Sequence, residues 1–97
     1  MTVARFERSQ NTDRLTVEGH QPGMKGYDIY CAAASAIACT LAEALAQEED
    51  AQMVQRMTDG RMEITALRTM RGDAMFDMAK AGFERLAEKW PDRFGFE

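Results

Sequence analysis

The sequence predicts an α+β fold in which a mostly antiparallel sheet, built from two β-hairpins, packs against two main helices. Two pairs of segments with alternating side chains each flank a polar turn, and each pair precedes a longer segment with helical spacing of apolar residues. Strands that come as hairpins favour an antiparallel sheet, whereas strands that alternate with helices favour a parallel one. The predicted order is ββαββα, and the C-terminal "RFGFE" is a candidate short edge strand.

The hairpins are predicted from alternation and from the residues between the strands. "TVARFER" and "RLTVEG" flank the polar "SQNTD", and "AQMVQRMT" and "RMEITAL" flank Asp59 and Gly60. Asp-Gly between two alternating segments is the strongest short hairpin signal.

The first helix is predicted from "DIYCAAASAIACTLAEALAQEED", with Asp28 as the N-cap. Ile37, Leu41 and Leu45 recur at steps of four and form a strip that can pack on the sheet. The acidic residues 48–50 are unfavourable at the negative end of a helix dipole, so we expect them in the exit from the helix.

The second helix is predicted from Ala74 to about Lys89, and Trp90-Pro91 ends it. We expect most of the eight methionines to fill the core. The predicted apolar stripe of this helix consists of Met75, Met78, Ala79, Phe83 and Leu86.

Length and composition indicate an ordinary globular protein. The 97 residues have a 45% hydrophobic and a 29% charged content, which predicts a single domain over residues 1–97 with a compact core. The formal net charge is −4, and no Lys/Arg cluster offers a surface for phosphate backbones, so direct nucleic-acid binding is disfavoured.

The sequence also predicts a cytoplasmic protein without a membrane anchor. The longest apolar run, residues 29–42, is interrupted by Ser35 and Thr40 and is too short to span a bilayer. The N-terminal "MTVARFERSQ" is charged and lacks the apolar centre of a signal peptide.

The two cysteines, Cys31 and Cys39, are expected to be thiols. They lie eight residues apart in one predicted helix, about 12 Å along its axis. A disulfide needs α-carbons within about 7 Å. One histidine and two distant cysteines form no CxxC or HxxxH pair, so no metal site is predicted.

Candidate catalytic residues lie close together in "GHQPGMKGYDIYCAAASA". Cys31 falls in the first turn of the predicted helix, where unpaired N–H groups and the helix dipole favour a thiolate and can hold an oxyanion. His20, the one histidine, comes just after the second strand, and a loop with Gly23 and Gly26 can fold it back to the sulfur. Nucleophile, base and oxyanion donors would then converge, as cysteine-dependent acyl transfer requires.

Each of these residues also has a structural interpretation. Cys31 can be a small core residue and His20 an exposed loop residue. Ser35, which shares a helix face with Cys31, can bond back to a helix carbonyl, and Asp28 can be only a cap. Cys39 lies outside this setting and is interpreted as structural.

The joint pattern of Gly-His, a glycine-containing loop and "GYDIYCAAAS" resembles the signature of the ribosomal-processing cysteine protease family, Prp. The resemblance extends over the whole chain, from the hairpin before the histidine to a final helix that closes at Trp90-Pro91. One departure is Gln21-Pro22 after the histidine, where the family has a small residue such as alanine.

This resemblance implies a Cys/His dyad with Cys31 as nucleophile and His20 as general base. Asp28 and Ser35 match further positions of the motif and are expected to support the dyad. No cofactor is implied.

The resemblance further implies a homodimer that removes a short N-terminal extension from the twenty-seventh protein of the large ribosomal subunit. A glycine-rich loop, here with Gly23 and Gly26, would move to admit the peptide. The alternative from a different class is a non-enzymatic module that binds a ribosomal protein or an assembly intermediate. An acidic domain attracts a basic ribosomal tail in either case.

Overall fold

The structure is a computed structural model that describes residues 1–19 and 29–97. A 3₁₀ turn over Glu49–Ala51 holds part of the acidic segment, as expected for the exit from the first helix. The described strands and helices are β1 (Thr2–Arg8), β2 (Thr12–Glu18), α1 (Ile29–Ala46), β3 (Val54–Thr58), β4 (Arg61–Leu67), α2 (Met70–Lys89) and β5 (Phe94–Phe96). The predicted α+β class and ββαββα order are confirmed.

The five strands form one sheet in the order β3-β4-β2-β1-β5. Both hairpins are antiparallel, and antiparallel pairing of β2 with β4 joins them. The C-terminal "RFGFE" supplies β5, which pairs in parallel with β1 and confirms the candidate edge strand. The sheet is therefore mostly antiparallel, as predicted.

The core lies between one face of the sheet and the two helices. Leu15 and Ile64, on neighbouring strands, are fully buried together with Leu45 of α1 and with Phe76 and Phe83 of α2. Burial alternates along β1 and β4, so the helices cover one face of the sheet.

Two members of the predicted α1 strip, Leu41 and Leu45, are buried as expected. Ile37 is only half-buried. A methyl group added at Gly82 of α2 would lie 3.0 Å from the Ile37 Cδ1 atom, so Ile37 packs against α2.

The predicted start of α2 at Ala74 is wrong, because the helix begins one turn earlier at Met70. The Thr69 hydroxyl accepts a hydrogen bond from the Gly72 backbone N–H at 2.9 Å and caps this turn. "RGD" looks like a turn in sequence, but Gly72 is buried beside Thr69 and Leu45. The predicted end is confirmed, since α2 ends at Lys89.

The expectation that most methionines fill the core is wrong for the described residues. Met57, Met70 and Met78 are 65%, 90% and 78% exposed, and Met78 does not belong to the apolar stripe of α2. The stripe instead includes Phe76, which is buried and one residue away from the half-buried Met75. The two aromatic rings of α2 supply the bulk that the methionines were expected to supply.

The expectation that the apolar run is too short to span a bilayer is wrong by length, because α1 extends to Ala46. The helix has 18 residues with a mean hydropathy of 1.6, the length and composition that a membrane crossing needs. Core helices of soluble proteins meet the same test. Five of the 18 residues, including Leu41 and Leu45, are buried in the fold, so packing accounts for part of the apolar character of α1.

Candidate active site

Cys31 is the third residue of α1 and is half-buried. It lines a pocket of about 160 Å³ that we call the Cys31 pocket. The wall opposite α1 comes from the end of β2, with Gly19, and from the β3–β4 hairpin, with Met57 and Met62. The nucleophile predicted from the sequence therefore opens onto a space that can hold part of a ligand.

Small residues of α1 make the room for this pocket. Ser35 lines it together with Cys31, which confirms that the two residues share a helix face. Ala34 and Ala38 also line the pocket and are almost completely buried. Larger side chains at these two positions would fill the space beside the sulfur.

Gly19 is held tightly at the edge of the Cys31 pocket. Its backbone N–H donates to the Gly60 carbonyl at 2.9 Å, and its carbonyl accepts from the Thr2 hydroxyl at 3.0 Å. Its φ is +93°, and a Cβ atom here would lie 2.1 Å from the Met1 carbonyl oxygen, so only glycine fits. The end of β2 is thus a fixed support directly before His20 in the chain.

The remaining predicted site residues, His20, Gly23, Gly26 and Asp28, lie outside the described residues. The structure brings Cys31 and Ser35 together. The general base, the helix cap and the moving loop stay predictions from the sequence.

Ion pairs form the polar rim of the pocket. Arg61 contacts Glu18 of β2 and Glu63 of its own strand, both at 3.1 Å. The hydrogen bond with Glu18 raises the pKa of the Arg61 guanidinium above its ordinary value. The Arg61–Glu18 pair joins the start of β4 to the end of β2 at the rim of the pocket.

Sequence reasoning did not find the contribution of the β3–β4 hairpin to the site. Met57, Thr58 and Met62 carry no catalytic chemistry, and they reach Cys31 only because β4 pairs with β2. The only sequence signal for this hairpin was the Asp59-Gly60 turn. It located the two strands correctly but did not indicate that they lie beside Cys31.

Cys39 lies apart from this site. Cys39 is exposed and does not line the Cys31 pocket. The two cysteines are thiols rather than partners in a disulfide. Residues 1–19 and 29–97 contain no group of three or more His, Cys, Asp or Glu side chains that could hold a metal ion.

A cysteine in the first turn of a helix, open to a pocket beside a β-sheet, has the setting that a nucleophilic thiol needs. The chain matches the family model described as cysteine protease Prp over residues 1–94. It belongs to this family and is a cysteine protease. No curated protein matches the chain by sequence.

Solved structures share the fold along the whole chain. SMU.848 from Streptococcus mutans is 25% identical with a TM-score of 0.80, and the match covers 100% of this chain and 96% of that one. The essential ribosomal processing protease Prp from S. aureus with a substrate peptide is 15% identical with a TM-score of 0.83, at coverages of 100% and 98%. The same S. aureus protein with a covalently linked product peptide is 16% identical with a TM-score of 0.82, and the match covers 100% of both chains.

Proposed function

We propose that this protein is an endopeptidase that removes a short N-terminal extension from the twenty-seventh protein of the large ribosomal subunit during ribosome maturation. The observation that carries the proposal is the Cys31 pocket, with the cysteine on one side and Gly19, the residue before the one histidine, on the other. Residues 1–97 act as one domain in this proposal.

The reaction uses a Cys31/His20 dyad. His20 takes the proton from the Cys31 sulfur, and the thiolate attacks the carbonyl carbon of the scissile peptide bond. The peptide C–N bond then breaks as His20 returns the proton to the leaving amine. Water hydrolyses the resulting thioester and regenerates the thiol. Backbone N–H groups in the first turn of α1 stabilise the oxyanion of each tetrahedral intermediate.

The position of Gly19 supports His20 as the base. One peptide step of about 3.8 Å between α-carbons separates His20 from a residue that lines the same pocket as Cys31. Gly19 is held in place by the hydrogen bond that its carbonyl accepts from the Thr2 hydroxyl and by the one that its N–H donates to the Gly60 carbonyl. The chain contains one histidine, so no other imidazole can serve. Asp28 and Ser35 take supporting roles, Asp28 as the cap of α1 and Ser35 beside the sulfur.

The ribosomal substrate is supported by the relatives and by charge. The S. aureus protein of the same fold is described as a ribosomal processing protease and binds a substrate peptide. The net charge of −4 favours association with a basic ribosomal protein. We place the activity in the cytoplasm, where two cysteine thiols persist.

The test is incubation with the same organism's copy of that ribosomal protein, followed by intact-mass measurement. The wild-type protein should shorten the substrate at its N-terminus, and Cys31→Ala should leave it intact. His20→Ala should lose nearly as much activity, because a dyad acts as a unit. Cys39→Ala is the matched control and should cleave normally. Cleavage by Cys31→Ala, or binding without cleavage by the wild type, would favour the non-enzymatic module.

We further propose that the protein is a homodimer that uses a groove between α1 and α2. This helix groove has a volume of about 660 Å³, and Ala36, Thr40, Ala74, Met78 and Gly82 are among its lining residues. Small side chains on both helices allow a second copy to approach closely, and the 78% exposed Met78 provides apolar surface to bury.

A further inference from the structure

Strand β3 forms an edge of the sheet, with β4 on one side. On its other side, no strand among the described residues pairs with it. All five residues of β3 are exposed, and Val54 and Met57 are 50% and 65% exposed. Edge strands of protein sheets are usually protected by proline, charged side chains or a bulge. "VQRMT" has no proline and one charged side chain, Arg56, and its pairing with β4 runs without interruption from Val54 to Thr58.

The direction of the backbone groups on this edge follows from the pairing of the neighbouring strands. The Gly19 N–H donates to the Gly60 carbonyl, which therefore points toward β2. Backbone groups of successive strand residues alternate between the two sides, so those of Arg61 and Glu63 point toward β3.

The partners of Arg61 and Glu63 in the register are Thr58 and Arg56. Their backbone groups therefore point toward β4, and those of Gln55 and Met57 point away from the sheet. The open edge offers two N–H donors and two carbonyl acceptors, which is the pattern that an added strand needs.

The open edge runs directly into the active site. Met57 and Thr58, at the C-terminal end of β3, line the Cys31 pocket. At about 3.3 Å per residue, β3 is long enough to align four or five residues of an extended peptide. A chain paired with β3 would reach the pocket at its end.

We propose that β3 binds the substrate of this protease by strand addition. An extended peptide pairs with the backbone of Gln55 and Met57, and its next residues enter the Cys31 pocket. Backbone pairing gives affinity for many sequences, and the pocket side chains give selectivity. Met57 and Met62 are flexible and polarizable, so this wall adapts to different apolar side chains. The proposal rests on the protease activity but not on the ribosomal substrate.

The test compares Gln55→Pro with Gln55→Ala. Proline removes the N–H that points to the open edge and leaves the hydrogen bonds with β4 in place, whereas alanine keeps that N–H. Gln55 does not line the Cys31 pocket. Gln55→Pro should lower kcat/KM about three- to tenfold through KM, as expected for a lost hydrogen bond. Gln55→Ala sets the baseline for this comparison, because it loses the same side-chain contacts with the Met57 and Met62 sulfurs, 3.8 Å each, and keeps the backbone N–H. Equal values for the two folded variants would overturn the proposal.

Two probes separate this proposal from the choice of substrate. The first is a synthetic peptide that copies the N-terminal extension of the ribosomal protein. The second is a mixture of peptides from a digested cell lysate. Only peptides that the wild type cleaves and Cys31→Ser leaves intact are measured further. If lysate peptides are cleaved and the ribosomal peptide is not, the proposed ribosomal substrate is wrong. The kcat/KM values of Gln55→Pro and Gln55→Ala on the cleaved lysate peptides would still decide whether β3 binds substrate.

Residue-resolved hydrogen exchange decides the matter if Gln55→Pro fails to fold. The amides of Gln55 and Met57 should exchange rapidly in Cys31→Ser protein and slow at least tenfold when a cleavable peptide is added. The amides of Arg56 and Thr58, paired with β4, are the internal controls. Slow exchange without peptide would overturn the proposal. Slow exchange that depends on protein concentration would mean that a second copy of the protein pairs with β3. Slow exchange at every concentration would mean that another segment of the same chain pairs with it.

Discussion

The backbone of Gly19 joins the end of β2 to the start of β1 and to the β3–β4 turn. Its carbonyl accepts from the buried Thr2, and its N–H donates to Gly60. Because its φ is +93° and its α-carbon faces the Met1 carbonyl, a side chain at this position must displace the backbone. A single residue thus holds one wall of the Cys31 pocket in place.

We therefore predict that Gly19→Ala loses about 2 kcal/mol or more of unfolding free energy and most of its proteolytic activity. Thr2→Val is the matched variant, since it keeps the shape and removes only the hydroxyl. It should lose about 1 kcal/mol. Urea unfolding and peptide cleavage measure both effects. A Gly19→Ala protein with wild-type stability would contradict the rigid support.

A second set of contacts at the residue scale lies where β1 and β2 meet the start of α2. Arg8 binds Asp13 at 2.6 Å and Asp77 at 3.0 Å, and Arg68 binds Asp73 at 2.9 Å. The Asp13 side chain is only 1% exposed, and burial raises its pKa above the ordinary value. The hydrogen bond from Arg68 lowers the pKa of Asp73 to about 2.

Asp73 should consequently make stability depend on pH in acid. A carboxylate whose pKa is lowered by folding stabilises the fold above its ordinary value of 3.8, and this contribution is lost as the pH falls toward about 2. The unfolding free energy of the wild type should fall more steeply over this range than that of Asp73→Asn. Urea titrations at several pH values measure the difference. Parallel curves would contradict the ion pair.

At the scale of elements, the cap at Thr69 decides where α2 begins. Its hydroxyl satisfies the Gly72 N–H, which otherwise has no helical partner. Thr69→Ala should lose about 1 kcal/mol of unfolding free energy, whereas Thr69→Ser, which keeps the oxygen, should lose much less. Chemical denaturation compares the two variants. Equal losses would indicate that the methyl group, rather than the hydrogen bond, stabilises this turn.

The sequence predicted elements well where a local pattern determines them. Alternation and Asp59-Gly60 located the second hairpin, and Trp90-Pro91 located the end of α2. The start of α2 was missed because glycine usually marks a turn, whereas a Cβ atom at Gly72 would lie only 2.8 Å from the Thr69 Oγ1 atom that caps the helix. Met78 was assigned to the wrong face because its apolar character alone does not say which side is buried.

At the scale of the whole molecule, the proposed dimer makes the helix groove an interface. Met78→Glu introduces a charge on the groove and should weaken dimerisation at least tenfold. Met70→Glu is the matched control, because Met70 is 90% exposed and does not line the groove. Sedimentation velocity over a range of protein concentrations measures the dimer. A wild-type protein that stays monomeric would contradict the proposal.

The candidate site also belongs to this scale, and the sequence predicted only part of it. Cys31 and Ser35 were found because four residues make one turn of a helix, and both line the pocket. Met57 and Met62 were missed because they reach the pocket through pairing between strands that are distant in sequence. Local spacing predicts contacts within α1, whereas contacts between the hairpins depend on the assembled sheet.

The central claim is that Cys31 is the activated nucleophile, and the relative alkylation rates of the two cysteines test it most directly. Exposure alone favours Cys39, since it is exposed and Cys31 is half-buried. We predict the opposite order with iodoacetamide at neutral pH, because a base that takes the proton from the Cys31 sulfur makes it the stronger nucleophile. His20→Ala should slow the labelling of Cys31 and leave Cys39 unchanged. Faster labelling of Cys39 in the wild type, or no effect of His20→Ala, would contradict the account.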